Sequence, residues 1–134
     1  MKRFLLVIVL ALVPVLALLA QPKQTITFDY YQYDLGTIKV SETPYSVKFP
    51  FKNTGLLPLQ IKVVSTPCTC TTSDWTKEEI EPGGTGEVTV TYLAAAPTEK
   101  MSFGFYIYSN GIPNPTGVRI MGKVVGEPLK KRSK

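Results

Sequence analysis

The sequence contains no histidine, and its 134 residues include only two cysteines and one tryptophan. Without histidine there is no Ser-His-Asp or Cys-His arrangement, and the usual general base near neutral pH is missing. A phosphate-binding loop is also missing, because Gly83-Gly84-Thr85-Gly86 has neither the lysine nor the following helix that such a loop needs. We therefore predict that the protein is not an enzyme, with no catalytic residues and no bound cofactor.

Positive charge is scarce in the body of the chain, although the net charge of the whole sequence is +5. Residues 21–129 hold nine Lys or Arg and ten Asp or Glu, a net charge of 9 − 10 = −1. The excess lies in Lys2-Arg3 and in a basic C-terminal tail over residues 129–134. No basic patch is interleaved with aromatic residues, so nucleic-acid binding is not expected.

The N-terminus has the pattern of an export signal. Met1-Lys2-Arg3 is positively charged, and residues 4–19 contain no polar side chain. This run is longer than a usual signal peptide core and shorter than the roughly 20 residues that span a bilayer. Residues 1–20 are thus predicted to be a signal peptide or an N-terminal anchor. Either predicts an exported protein in the periplasm, at the cell surface or secreted, which touches a membrane only if this segment stays uncleaved.

The remaining sequence has a hydrophobic period of two, which is typical of strands that are buried on one face. Tyr45, Val47, Phe49 and Phe51 alternate with polar residues or proline. About seven such runs occur, separated by turn sequences such as Ser109-Asn110-Gly111. This spacing predicts an all-β antiparallel sandwich over residues 21–128.

Two details of strand pairing are also predicted. Residues 45–52 and 59–63 are expected to form a hairpin through Asn53-Thr54-Gly55, where glycine tolerates a tight connection. Pro50 has no N–H to donate, so its strand is expected to lie at a sheet edge or to carry a bulge.

Several segments together resemble a known protein family, the domain of unknown function 1573. The segments are Asp34-Leu35-Gly36-Thr37-Ile38, Phe51-Lys52-Asn53-Thr54-Gly55, Pro67-Cys68-Thr69-Cys70-Thr71 and Ile80-Glu81-Pro82-Gly83-Gly84. The resemblance implies an immunoglobulin-like fold similar to hydin and major sperm protein modules, and an exported bacterial protein. It implies no established activity. The family usually has glycine between the two cysteines, whereas this chain has Thr69.

Cys68 and Cys70 are the candidate redox residues. In an extended strand their Cα atoms would lie roughly 6.6 Å apart, at the upper limit for a disulfide. A bond between them would need a kink, which Pro67 could mark. A reactive disulfide and an inert pair that packs beside Trp75 are both consistent with the sequence.

The same two cysteines are the candidate metal ligands. Paired thiolates suit Cu(I), or two of the four positions around zinc. For zinc, the chain would have to add Asp74 or Glu78, or to dimerise, because it has no histidine and no third cysteine.

Tyr106 and Tyr108 lie on one face of a predicted strand and are a candidate binding surface for carbohydrate or protein. Packing within the sandwich is the alternative role. The sequence thus predicts a non-enzymatic immunoglobulin-like binding or structural module of the bacterial cell envelope. Its partner would be a protein or an envelope polymer, with strand addition at the Pro50 edge as one mode. The alternative is a thiol protein that uses Cys68 and Cys70 for copper binding or disulfide exchange.

Overall fold

The computed structural model describes Arg3 and residues 23–129. The predicted leader at residues 1–20 falls outside the described residues except for Arg3, and the basic tail falls outside them except for Leu129. Within residues 23–129, no helix is long and apolar enough to cross a membrane. The strands of this region are β1 (Ile26–Phe28), β2 (Gln32–Lys39), β3 (Tyr45–Asn53), β4 (Ile61–Ser65), β5 (Thr71–Trp75), β6 (Thr85–Tyr92), β7 (Thr98–Ser109) and β8 (Thr116–Val125).

The strands form two sheets of four, with the orders β1-β3-β6-β5 and β2-β8-β7-β4. Neighbouring strands are antiparallel except β2 and β8, which are parallel. The first strands are divided between the sheets, because β1 joins one and β2 joins the other. The predicted all-β sandwich is confirmed, with one parallel pair that period-two patterning does not reveal.

The core lies between the sheets and is built from the alternating apolar residues. Phe49 of β3 and Phe105 of β7 are fully buried and come from opposite sheets. Burial of each such side chain stabilises the fold by about 2–3 kcal/mol relative to exposure. Other fully buried side chains are Ile26, Phe51, Leu59, Val88, Val90, Ile107, Ile120 and Val124.

An eighth strand, β5, was not anticipated by the prediction of about seven. Its sequence, Thr71 to Trp75, contains a single large apolar residue. β5 pairs only with β6 and forms the edge of its sheet. Of its three less exposed positions, Thr71, Ser73 and Trp75, only the last is apolar. Hydrophobic alternation therefore misses it.

The predicted hairpin between residues 45–52 and 59–63 is wrong. β3 pairs with β1 and β6, whereas β4 pairs with β7 in the other sheet. The connection crosses between sheets and is organised by Asn53, whose buried amide donates to the carbonyls of Leu57 and Ile80 at 2.8 Å each. Gly55 is needed for close approach, not for a positive φ, since a Cβ there would lie 2.2 Å from the Lys23 carbonyl oxygen.

β3 has an exposed edge only over part of its length. β1 pairs with residues 51–53, and the earlier part of β3 extends past it. Pro50 lies at this boundary, where its carbonyl accepts a hydrogen bond from the Asp29 amide at 3.0 Å. The Tyr30 hydroxyl donates to the Lys48 carbonyl further along. The Pro50 edge thus exists, but two of its backbone acceptors already have partners.

Candidate functional site

The two cysteines lie in the turn between β4 and β5, where they form a disulfide with each other. Their Cα atoms are 5.2 Å apart, inside the usual range for a disulfide. The kink that such a bond requires is present, because the chain bends at Pro67 and Cys68. Bending brings together two side chains that a flat strand would hold parallel.

Backbone and side-chain bonds anchor this disulfide turn. The amide and the hydroxyl of Thr71 both donate to the Cys68 carbonyl, at 3.3 and 3.0 Å. The Leu93 amide donates to the Cys70 carbonyl at 2.9 Å. Since β4 and β5 are edge strands of different sheets, the turn closes one side of the sandwich.

The surroundings of the disulfide are apolar on one side. Cys70 is half-buried and packs against the core, while Thr69 is exposed. Tyr92, the β6 partner of Thr71, is buried, and this burial raises the pKa of its phenol. Trp75 also packs against the core, at the far end of β5, about 13 Å of strand beyond Thr71. The Lys77 ammonium lies over its ring, 3.1 Å from the centroid.

In this state the sulfur atoms are not thiolates, so copper or zinc binding would first require reduction of the disulfide. Within residues 23–129, no three His, Cys, Asp or Glu side chains come together as a ligand set. The structure therefore does not bring Asp74 or Glu78 to the cysteines. The metal role of Cys68 and Cys70 stays a prediction about the reduced protein.

Tyr106 and Tyr108 lie on the outer surface of the second sheet. Here the β7–β8 face means the outward positions Ser102, Gly104, Tyr106, Tyr108, Gly117, Arg119, Met121 and Lys123. Tyr106 is 50% exposed and Tyr108 is 40% exposed, so neither belongs to the core. Val63 of β4, which is opposite Tyr108, is also exposed.

Arg119 is a prominent residue of this face that sequence reasoning missed. Its guanidinium lies over Gly104, where a Cβ would be 3.4 Å from Nη2, and Nη1 donates to the Ser102 hydroxyl at 2.7 Å. Among the residues that the structure describes, Arg119 makes no ion pair with a carboxylate. A signal existed in the sequence: Arg119 is the sole arginine of residues 21–129 and alternates with Val118 and Ile120.

Tyr106 and Arg119 each cover a glycine on the neighbouring strand. Gly117 is opposite Tyr106, and a Cβ added to it would contact the tyrosine ring at 3.6 Å. Gly104 is opposite Arg119 in the same way. The two side chains therefore lie across the sheet instead of standing away from it.

Two depressions occur on this side of the molecule. One of about 190 Å³ is lined by Tyr31, Gln32, Gly104, Tyr106, Gly117 and Arg119, among others. The other, of about 500 Å³, is lined by residues that include Asp34, Gly36, Ser102, Met121 and Lys123. Arg119 lines the first and Ser102, its hydrogen-bond partner, lines the second, so the two depressions are neighbours.

A family model described as "Protein of unknown function (DUF1573)" matches residues 26–124, from β1 to β8. The chain belongs to the DUF1573 family. The resemblance seen in the sequence is thereby confirmed. No curated protein matches the chain.

Solved structures show the fold of this DUF1573 chain. The PapD-like domain 7 of human CEP192, an ASH / PapD-like domain, is similar with a TM-score of 0.62 and 10% identity over 77% of this chain and 87% of that one. A Porphyromonas gingivalis W83 protein of unknown function has a TM-score of 0.60 and 15% identity over 75% and 46% of the two chains. Vibrio cholerae VesB protease has a TM-score of 0.56 and 14% identity over 76% and 32%.

These likenesses concern the fold alone, because every identity is at or below 15%. The DUF1573 chain spans less than half of the P. gingivalis protein and about a third of VesB. The chain is an immunoglobulin-like, PapD-like β-sandwich, and any role must be argued from its own surface.

Proposed function

We propose that this DUF1573 protein is a non-enzymatic, exported binding module of the bacterial cell envelope, and that it binds its partner through the β7–β8 face. The observation that carries the proposal is the pair of exposed tyrosines, Tyr106 and Tyr108, beside Arg119. Tyrosine and arginine are enriched where proteins bind partners, since they combine large contact area with hydrogen bonds.

Strand addition at a sheet edge fits less well than binding on a face. Along β3, the carbonyls of Pro50 and Lys48 are already hydrogen-bonded. β2 and β4 are edge strands whose ladders are interrupted between Asp34 and Thr37 and between Ile61 and Val63. Such irregularities hinder pairing with another chain. We therefore assign binding to the face.

Cross-linking from single positions tests this assignment. A photoreactive phenylalanine analogue at Tyr108, in protein expressed in its native cells, should give a discrete adduct with an envelope component. The same analogue at Thr27, an exposed position on the other sheet, is the matched control. Adducts of equal yield at both positions, or none at Tyr108, would contradict binding through this face.

Export is tested separately by the mass of the mature protein. The apolar run at residues 4–19 supports cleavage of the leader, in which case the mature chain isolated from the envelope fraction lacks about residues 1–20. An envelope-bound chain of full length would indicate the anchor instead. Recovery of the full chain from the cytosol alone would refute export.

A second candidate function is disulfide exchange, which the Cys68–Cys70 bond specifically favours. In this reaction a partner dithiol attacks the disulfide and becomes oxidised, while Cys68 and Cys70 take up two electrons and two protons. Thiol titration with native mass spectrometry, before and after reductant and with Cu(I) added, tests both thiol roles. A disulfide that no dithiol reduces, and reduced cysteines that bind no copper, would exclude this candidate.

A further inference from the structure

The β7–β8 face carries a positive charge without a negative partner at its centre. Arg119 is held by Ser102 and lies over Gly104, yet it has no carboxylate partner within residues 23–129. By contrast, Lys123 on the same face is paired with Glu99 at 2.9 Å. A guanidinium that is already positioned favours a carboxylate, because less side-chain freedom is lost on binding. In the larger depression the charges of Asp34 and Glu99 are offset by those of Lys100 and Lys123, so Arg119 is the group of this face that attracts an anionic ligand.

Next to that charge lies an aromatic ring. Tyr106 and Arg119 both line the smaller depression, with Gln32 of β2 on its other side. A tyrosine ring offers apolar area together with a hydroxyl that can hydrogen-bond. A sugar ring has the matching combination of apolar C–H groups and polar hydroxyls, and a uronic acid adds the carboxylate that Arg119 lacks.

The shape of the face suits an extended polymer. The two depressions follow β8 from Gly117 to Lys123, about 20 Å at 3.3 Å per residue. Arg119 and Tyr106 lie flat over Gly104 and Gly117 and form the floor of the smaller depression, and no side chain lies over Gly36 in the larger one. Asp34 and Ser102 in the larger depression offer further hydrogen-bonding groups to hydroxyls.

We propose that the β7–β8 face binds an acidic polysaccharide, with one uronic acid ring against Tyr106 and its carboxylate on Arg119. This inference rests on the proposed function and specifies its ligand class. A peptide fits less well, because an extended peptide gains most of its affinity from backbone pairing at a strand edge, and β7 and β8 are the two inner strands of their sheet.

Binding of polygalacturonate oligosaccharides to the full-length chain, measured by calorimetry, tests the proposal. Polygalacturonate should bind, whereas neutral dextran should not. Arg119→Gln should weaken binding at least about tenfold, as expected for loss of one charged hydrogen bond. Arg119→Lys should recover part of the loss, because it restores the charge without the planar fork. Tyr106→Ala should weaken binding as well, and Tyr106→Phe should retain most of it.

Three controls separate the face from simple charge attraction. Lys52→Gln removes an exposed positive charge from the other sheet and should leave affinity unchanged. Replacement of Lys130, Lys131, Arg132 and Lys134 by glutamine removes the tail charges, and binding should persist. Circular dichroism should show that each variant is folded.

The outcomes distinguish this inference from the proposed function. Poly-glutamate that binds as tightly as polygalacturonate would overturn the sugar assignment, as would binding that disappears with the tail charges. If polygalacturonate does not bind while Tyr108 still cross-links to an envelope protein, the polysaccharide inference fails and the binding face stands. Absence of both would refute the two proposals together.

Discussion

At the scale of single residues, hydrogen bonds satisfy the polar side chains of the interior. Within the described residues, every buried side-chain nitrogen and oxygen has a hydrogen-bond partner. Asn53 is the fully buried example: its amide donates to two carbonyls, and its oxygen accepts from the Gly55 amide at 3.0 Å. The crossover after β3 has no partner strand, and the Asn53 side chain supplies hydrogen bonds to its backbone instead.

Replacement of Asn53 should be costly for that reason. Asn53→Ala leaves the Leu57 and Ile80 carbonyls without this donor and should lower the free energy of unfolding by about 3 kcal/mol. Urea denaturation measures the change. Asn110→Ala is the matched control, since this exposed asparagine also bonds to backbone but should cost less than about 1 kcal/mol. Equal losses would show that burial is not what makes Asn53 important.

Asp74 makes a small pH-dependent contribution to stability. The Trp75 amide and then Lys77 lower the pKa of its carboxyl below the ordinary value. A carboxyl with a lowered folded pKa stabilises the protein above the unfolded value of about 3.9, and the effect is lost as pH falls through the folded pKa.

Asp74→Asn tests this sign. The variant should be less stable than the parent near neutral pH, and the difference should shrink at an acidic pH below the unfolded pKa of about 3.9. Because Asp74 is fully exposed, added salt should also reduce the difference. Urea midpoints at the two pH values provide the measurement. A difference that grows on acidification would contradict the assignment.

At the scale of elements, the connections between the sheets set the shape of the molecule. The β4–β5 turn joins the edges of the two sheets, and the Ser73 hydroxyl bridges them by donating to the Val64 carbonyl at 3.3 Å. The disulfide in this turn closes a loop of only three residues. A loop so short restricts the unfolded chain little, which limits its contribution to stability.

The double variant Cys68→Ser and Cys70→Ser should therefore cost at most about 2 kcal/mol. Thermal and urea denaturation of the variant and of the oxidised parent measure the cost. The reduced parent is the control, because it lacks the bond but keeps both sulfur atoms. A loss well above this value would show that the turn is a structural staple and would weaken its candidacy for exchange chemistry.

Elements also differ in how well the sequence predicts them. The alternation in β3 is clear because one face of the strand packs on the core, whereas β5 has a single large apolar residue and was missed. Turn residues do not show whether the next strand joins the same sheet or the other one. The sequence Asn53-Thr54-Gly55 is compatible with a hairpin and with a crossover, and the contacts with Ile80 and Lys23, far along the chain, decide between the two.

At the scale of the whole molecule, the two sheets share one core. Phe49 and Phe105 come from different sheets and are both fully buried, so the sheets should unfold together. Trp75 on β5 and the backbone of both sheets report on this transition independently.

Phe49→Ala and Phe105→Ala should each lower the free energy of unfolding by about 3–5 kcal/mol. Fluorescence of Trp75, the single tryptophan, and far-UV circular dichroism should give coincident transitions in both variants. Leu56→Ala, at a side chain 71% exposed, should change stability by less than about 0.5 kcal/mol. Separate transitions for the two probes would show that the sheets are independent.

The sequence predicts only one strand of the β7–β8 face. Alternation placed Tyr106 and Tyr108 on one side of a strand, and the structure shows that this side is exposed. Arg119 comes from the neighbouring strand, and only the pairing of Gly104 with Arg119 sets its guanidinium beside Tyr106. A single strand pattern carries no information about its neighbours in the sheet.

The sequence by itself determined the fold class and the family, because hydrophobic alternation with a period of two and turn residues are local patterns that do not depend on which strands pair. The tertiary structure decided the sheet orders, the crossover at Asn53, the bent Cys68–Cys70 turn and the meeting of Tyr106 with Arg119. Each of these depends on contacts between residues far apart in the chain. Their geometry is fixed only when both sheets pack on the common core.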